Sequence, residues 1–164
     1  MIYFKETSIG RIGIGEKGGS IAKVVFENNT GKIGSDFCDF PQNESNAPII
    51  VVEAFRQLDE YLDGKRREFE LPLAPEGTPF MKKVWTALCD IPYGKTATYK
   101  DIAIAVGSPK GYRAVGMANN KNPVAIFIPC HRVIGCSGKL VGYAGGMDLK
   151  TKLLVLENKQ FKES

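Results

Sequence analysis

The chain has 164 residues, 43% hydrophobic and 24% charged, with a formal net charge of +4, a balance that excludes a disordered or fibrous chain and suits one ordinary domain or two small ones. The N-terminal MIYFKETSIG lacks the basic and apolar regions of a secretory signal, and no uninterrupted apolar run approaches the roughly 20 residues that cross a bilayer. A cytoplasmic protein without membrane contact is therefore expected, in which Cys38, Cys89, Cys130 and Cys136 are free thiols rather than disulfides.

The first segments alternate as strands do. IYFKET, RIGIGE and SIAKVVFEN are rich in β-branched and aromatic residues and are separated by the glycine-bearing segments SIG and KGG. A loop follows to about Pro48, and it contains Cys38. Val51, Phe55, Leu58 and Leu62 then recur at helical spacing up to Gly64, a C-terminal cap. REFEL reads as one more strand. LAPEGTP, with Pro72, Pro75, Gly77 and Pro79 clustered around it, reads as a linker dividing a scaffold over 1–75 from a second domain over 76–164. Residues 1–75 hold 9 basic and 12 acidic side chains, whereas 76–164 hold 13 and 6. A basic second half points to a polyanionic partner.

Thr78 caps the next helix with Pro79 in its first turn, and Phe80, Val84, Trp85 and Leu88 form its apolar face. Cys89 on that helix, like Cys38, reads as a small buried hydrophobe. Thr98 and Asp101 form a capping box for a helix running to Gly107, with Tyr99, Ile102, Ala103 and Val106 on one face. Ser108 and Pro109 restart a second helix at once, so the pair reads as a helix-turn-helix. Gly111, Ala114 and Ala118 line one side of that second helix, with Gly116 nearby. Glycine in a helix interior costs roughly 1 kcal/mol relative to alanine, and two reasons for it stay open: tight packing on the core, or a smooth face laid against a nucleic acid. Arg113 is the one cation between Gly111 and Asn120, either an ordinary surface residue or a side chain that enters a duplex.

NPVAIFIPCHRVIG sets Cys130, His131 and Arg132 just after an apolar, strand-like run closed by Pro129. A cysteine beside the single histidine is a candidate nucleophile with its base, in direct contact or through one water. Leu149, Leu153 and Leu156 mark the buried stripe of a last helix, and Glu157 falls on that stripe. A carboxylate there is costly unless paired. Two readings remain open: Glu157 orients His131, which takes the Cys130 proton, or it sits solvated at the stripe's edge or paired with a lysine. With no C-x-x-C and one histidine, no metal site is expected.

Together these segments resemble the O6-alkylguanine-DNA alkyltransferase family, also called methylated-DNA–protein-cysteine methyltransferase. The matching runs are IPYGKTATY, RAVGMANNKNP, IPCHRVIG, YAGG and LLVLE, in order from about Phe80 to Glu157. The resemblance implies an α+β fold: an N-terminal ribonuclease-H-like α/β domain with a small antiparallel sheet, and a mainly helical C-terminal domain carrying the helix-turn-helix. The function implied is repair of double-stranded DNA containing O6-alkylguanine, with O4-alkylthymine as a second substrate. The alkyl group passes irreversibly to Cys130, once per molecule.

The resemblance further implies minor-groove entry by the helix bearing Gly111, Ala114 and Gly116, base flipping with Arg113 replacing the extruded nucleotide, and rotation of the target by Tyr99. It places the base in a pocket made by Tyr143, Val133 and Ala144, with Asn122 bracing the active-site loop beside Cys130, His131 and Glu157. The lesion itself is the alkyl donor, so no cofactor is implied, and the protein is expected to act as a monomer. Tyr112 departs from the small residue usual beside the arginine. Three other readings compete. A lesion-binding protein that flags damage would carry tryptophan in place of Cys130. A cysteine hydrolase would leave the helix-turn-helix unexplained, and a transcription regulator would want a dimer seam that is not apparent.

Overall fold

Alternation of apolar with small or charged residues produces three antiparallel strands, β1 (Ile2–Thr7), β2 (Gly10–Lys17) and β3 (Ser20–Phe26). The computed structural model describes residues 1–27, 37–39, 46–140, 142–143 and 145–161. Within the stretch expected to be a loop, β4 (Phe37–Asp39) pairs parallel with β1 and completes a sheet of order β3-β2-β1-β4. Cys38 therefore lies on a strand, not in a loop. Helix α1 (Ile49–Leu62) packs Val51, Ala54, Phe55 and Leu58 against β2 and β3, where Ile12 and Ile14 are buried. Gly64, with a φ of +75°, follows its end. Tyr61 rather than Leu62 closes the buried face.

REFEL is not a strand. The Gln57 side chain, buried on α1, accepts from the Glu70 backbone N–H at 2.9 Å and donates to its carbonyl at 3.3 Å, taking both groups a strand would need. Only Leu73, beyond Pro72, makes a bridge, to Ile21. These elements form one compact unit, Met1–Pro75; a second spans Glu76–Ser164.

In the second unit, Thr78 accepts from the Met81 N–H and opens α2 (Pro79–Cys89), which buries Val84, Trp85 and Leu88. Cys89, one residue past Leu88 and so about 100° round the helix, is exposed, against the expectation of burial. The capping box forms as the sequence predicts: Asp101 N–H to Thr98 Oγ1 at 3.0 Å and Thr98 N–H to Asp101 Oδ2 at 2.9 Å start α3 (Tyr99–Ala105). The two residues before it form β5 (Ala97–Thr98), paired parallel with β6 (Val133–Ile134).

The second helix of the pair, α4 (Tyr112–Asn120), begins later than the sequence predicts. Ser108–Gly111 forms a turn closed by the Gly111 N–H to the Ser108 carbonyl, and Gly111 is the N-cap. Gly111 is thus outside the helix interior, and its penalty there does not arise. A Cβ on it would approach Ser108 Oγ to 2.5 Å and the Ser108 carbonyl oxygen to 3.2 Å, so the turn is tight there and a side chain would have to turn the serine hydroxyl away. Residues 124–128 are likewise not a strand but a buried turn, with Ile126 at a φ of +75°. Helix α5 (Met147–Glu157) ends the described fold. Among the described residues no helix is long and apolar enough to cross a membrane.

Candidate active site

Cys130 owes its place to Asn122. The Asn122 amide donates to the Ile128 carbonyl at 2.9 Å and accepts from the Val124 N–H at 3.0 Å, folding the apolar segment back on itself. Pro129 then leads into a single 3-10 turn, Cys130–Arg132, all three residues buried. The Asn122 side chain also lies close enough to Cys130 to favour the ionised form of its thiol.

The last residue of α5 meets this turn. Glu157 Oε2 lies 2.7 Å from His131 Nε2, and both side chains are buried. Arg132 grips the same carboxylate in two-pronged fashion, Nε to Oε1 at 2.7 Å and Nη2 to Oε2 at 3.0 Å, while its Nη1 donates to the Ile91 carbonyl. The Gly94 N–H adds a fourth donor at 3.3 Å. Gly94 has a φ of +79°, and a Cβ there would stand 3.0 Å from the Glu157 carbonyl oxygen, so only glycine fits. A buried carboxylate met by four donors is satisfied; one left with a single partner would not be. Glu157 is therefore paired with histidine and arginine together, neither solvated at the stripe's edge nor paired with a lysine.

The Glu157 carboxylate can only accept from neutral His131, so Nε2 carries the proton and Nδ1 presents its lone pair. Nδ1 is buried and has no hydrogen-bond partner among the described residues. Burial pushes the imidazole below its ordinary 6.5, opposed by the Glu157 hydrogen bond and charge. Burial raises the Cys130 thiol to about 11, opposed by the Asn122 side chain and the Lys150 charge. The resting sulfur is a thiol, not the standing thiolate that a cysteine beside a histidine invites one to expect.

Lys150 was missed in the sequence. It is fully buried on α5 and donates to the Val133 carbonyl at 2.7 Å, with its pKa drawn down by burial to about 8. The signal was available: Lys150 lies on the same stripe as Leu149, Leu153 and Glu157, a polar misfit like the glutamate. Arg132 was visible in IPCHRVIG but had no assigned partner.

Tyr99 opens α3, where burial first and then the proximity of Cys130, whose thiolate form would repel a phenolate, raise the pKa of its phenol. A Cβ on Gly116 would lie 3.9 Å from the Tyr99 ring, so the two residues face each other at ordinary packing distance. Val133 is buried beside the site on β6. Gly142 lies against the Asn120 side chain, and Tyr143, next in the chain, is half-buried. Ala144 lies outside the described residues. Arg113 and Ala114 are exposed on α4, apart from the buried cluster, whereas Ala118 is buried and its carbonyl accepts from Trp85 Nε1 at 2.9 Å.

Comparison with known proteins gives two family matches in tandem: the ribonuclease-like domain of 6-O-methylguanine DNA methyltransferase over residues 2–75, and its DNA binding domain over 79–159. A constitutive methylated-DNA–protein-cysteine methyltransferase of Bacillus subtilis is 44% identical over 163 residues, 96% of this chain and 95% of that one. One from Methanosarcina barkeri is 62% identical over 110 residues, 67% of this chain and 70% of its own. A crystal structure of Mycobacterium tuberculosis OGT in complex with DNA aligns with a TM-score of 0.84 at 38% identity, covering 96% of this chain and 92% of that one. With both units matched by the same family and a relative aligned along nearly its whole length, the chain belongs to the methylated-DNA–protein-cysteine methyltransferase family and is a DNA-repair enzyme of that class.

Proposed function

We propose that Cys130 is the alkyl acceptor and that O6-alkylguanine in double-stranded DNA, with O4-alkylthymine as a second substrate, is the donor. The observation that carries this reading is the buried chain Glu157–His131, with its free imidazole lone pair on the residue next to a buried thiol. One water between Nδ1 and Sγ passes the thiol proton to His131, and Glu157 stabilises the imidazolium that results. The thiolate forms its bond to the alkyl carbon as the carbon–O6 bond breaks, and the guanine leaves with the bonding pair. A hydrogen bond from the Tyr99 phenol offsets the charge growing on the base. The product is a thioether, which water does not cleave, so each molecule acts once.

A thiol this deeply placed cannot reach a base inside a stacked duplex, and the nucleotide must be extruded. In this reading residues 76–164 are the DNA-binding and acceptor domain and residues 1–75 its scaffold. The α4 helix enters the minor groove, Ala114 and Gly116 let it approach closely, and Gly111 keeps the preceding turn tight. Arg113 fills the vacated stack, while Tyr143, Val133 and Ala144 wall the base pocket. Asn122 holds the loop that presents the sulfur. The protein works as a monomer, and its need for a reduced thiol suits the cytoplasm. The M. tuberculosis structure, in complex with DNA, supports DNA as the partner. The test is Cys130→Ala: it should abolish alkyl uptake while binding to methylated duplex persists, and retained transfer would overturn the assignment.

A further inference from the structure

On α4 the residues Val115, Ala118 and Asn119 point to the core. Opposite them, Arg113 and Met117 follow at i and i+4, stacked in one outward row with about 6 Å of rise between them, and Lys121, the C-cap of the helix, comes four residues later. Met117 is 59% exposed between these two cations, so it contributes little to holding the fold. The surroundings favour an anionic partner: the 46 residues between Asp101 and Asp148 contain no carboxylate, while Lys110, Arg113, Lys121 and Lys139 are all exposed. Cations along a nucleic-acid backbone meet phosphates, and what lies between phosphates is sugar and base edge, which is largely apolar.

We propose that Met117 is a further groove-contact residue, packing its thioether on sugars and base edges one helical turn beyond Arg113. The proposal rests on α4 being the face that meets DNA. The side chain suits the task for a repair enzyme whose lesions fall in any sequence. Polar side chains in the minor groove distinguish A·T from G·C pairs, whereas a thioether has no donor and accepts only weakly. An unbranched, polarizable chain also adapts to an irregular, partly opened groove, and methionine is among the residues used as apolar wedges there.

The readout is a ratio: the second-order rate of alkyl uptake from an O6-methylguanine duplex divided by that from free O6-benzylguanine, which needs no groove. In Met117→Ala the ratio should fall about fivefold to tenfold, the effect of withdrawing most of one buried apolar side chain. Met117→Leu should recover most of it, and Met117→Gln should make the ratio depend on whether the flanking pairs are A·T or G·C. A ratio for Met117→Ala within about twofold of the parent overturns the proposal, including the case in which both rates drop together. Arg113→Ala, measured in parallel, separates the two levels. If it lowers the ratio and Met117→Ala does not, α4 meets DNA without Met117. If neither lowers it, α4 as the DNA face fails as well.

Discussion

At Cys130 two demands conflict. Burial shields the sulfur from casual electrophiles and holds it as a thiol, with a pKa near 11, yet attack on an alkyl carbon needs the thiolate. Reaction with a small reagent such as iodoacetamide should therefore rise about tenfold per pH unit from neutrality toward pH 11, because the thiolate fraction does. Peptide-resolved mass spectrometry should find the exposed Cys136 modified well before Cys130. Repair should behave differently under the proposed mechanism, in which His131 takes the proton inside the site. The imidazole is held below its ordinary 6.5, so neutral base persists as pH falls to that value. The repair rate should stay level from neutrality down to about 6.5 and decline only below it, as acid protonates His131. A repair rate climbing in parallel with iodoacetamide reaction would remove His131 from the mechanism.

Glu157 is the other residue on which the site turns. Glu157→Gln keeps the shape but leaves the Arg132 guanidinium buried without its counter-charge, which should destabilise the fold by about 3 kcal/mol in urea unfolding. Cys130, His131 and Glu157 were legible in the sequence because each is chemically out of place among its neighbours. Arg132 and Lys150 were equally out of place, but only contact distances show that one grips Glu157 and the other the Val133 carbonyl.

At the scale of elements, ends were read better than interiors. Helix starts at Thr78 and Thr98 rest on side chains three residues from the N–H groups they satisfy, so the pattern is local and visible. The segment 124–128 was misread because five apolar residues look alike as a buried strand or a buried turn; Asn122 decides for the turn, through bonds that spacing does not reveal. REFEL failed for a similar reason, its backbone groups taken by Gln57 from α1. The glycines of the second helix divide likewise. Gly111 serves the turn, whereas Gly116 is a true helix-interior glycine with room for a methyl group beside Tyr99. Gly116→Ala should raise thermal stability by roughly 0.5–1 kcal/mol. If close approach to DNA is what Gly116 provides, duplex repair should slow in the same variant; a stabilised protein with unchanged repair would leave Gly116 without a role in binding.

For the whole molecule the division of charge matters most. Acidic residues outnumber basic ones over 1–75, and the reverse holds over 76–164. If Lys110, Arg113, Lys121 and Lys139 each neutralise one phosphate, duplex affinity should fall on the order of a hundredfold between about 50 and 200 mM salt. The two-unit plan was legible from the proline-rich linker, and the family from five short runs in order. The strand β4 was not, being three residues inside a polar stretch.

The central claim, that one sulfur takes one alkyl group and keeps it, is tested most directly by intact-mass measurement after incubation with excess O6-methylguanine duplex. The chain should gain one methyl group and no more, and peptide mapping should place it on Cys130. A methyl on Cys89 or Cys136, or demethylated DNA in excess over protein with no mass gained, would contradict the account.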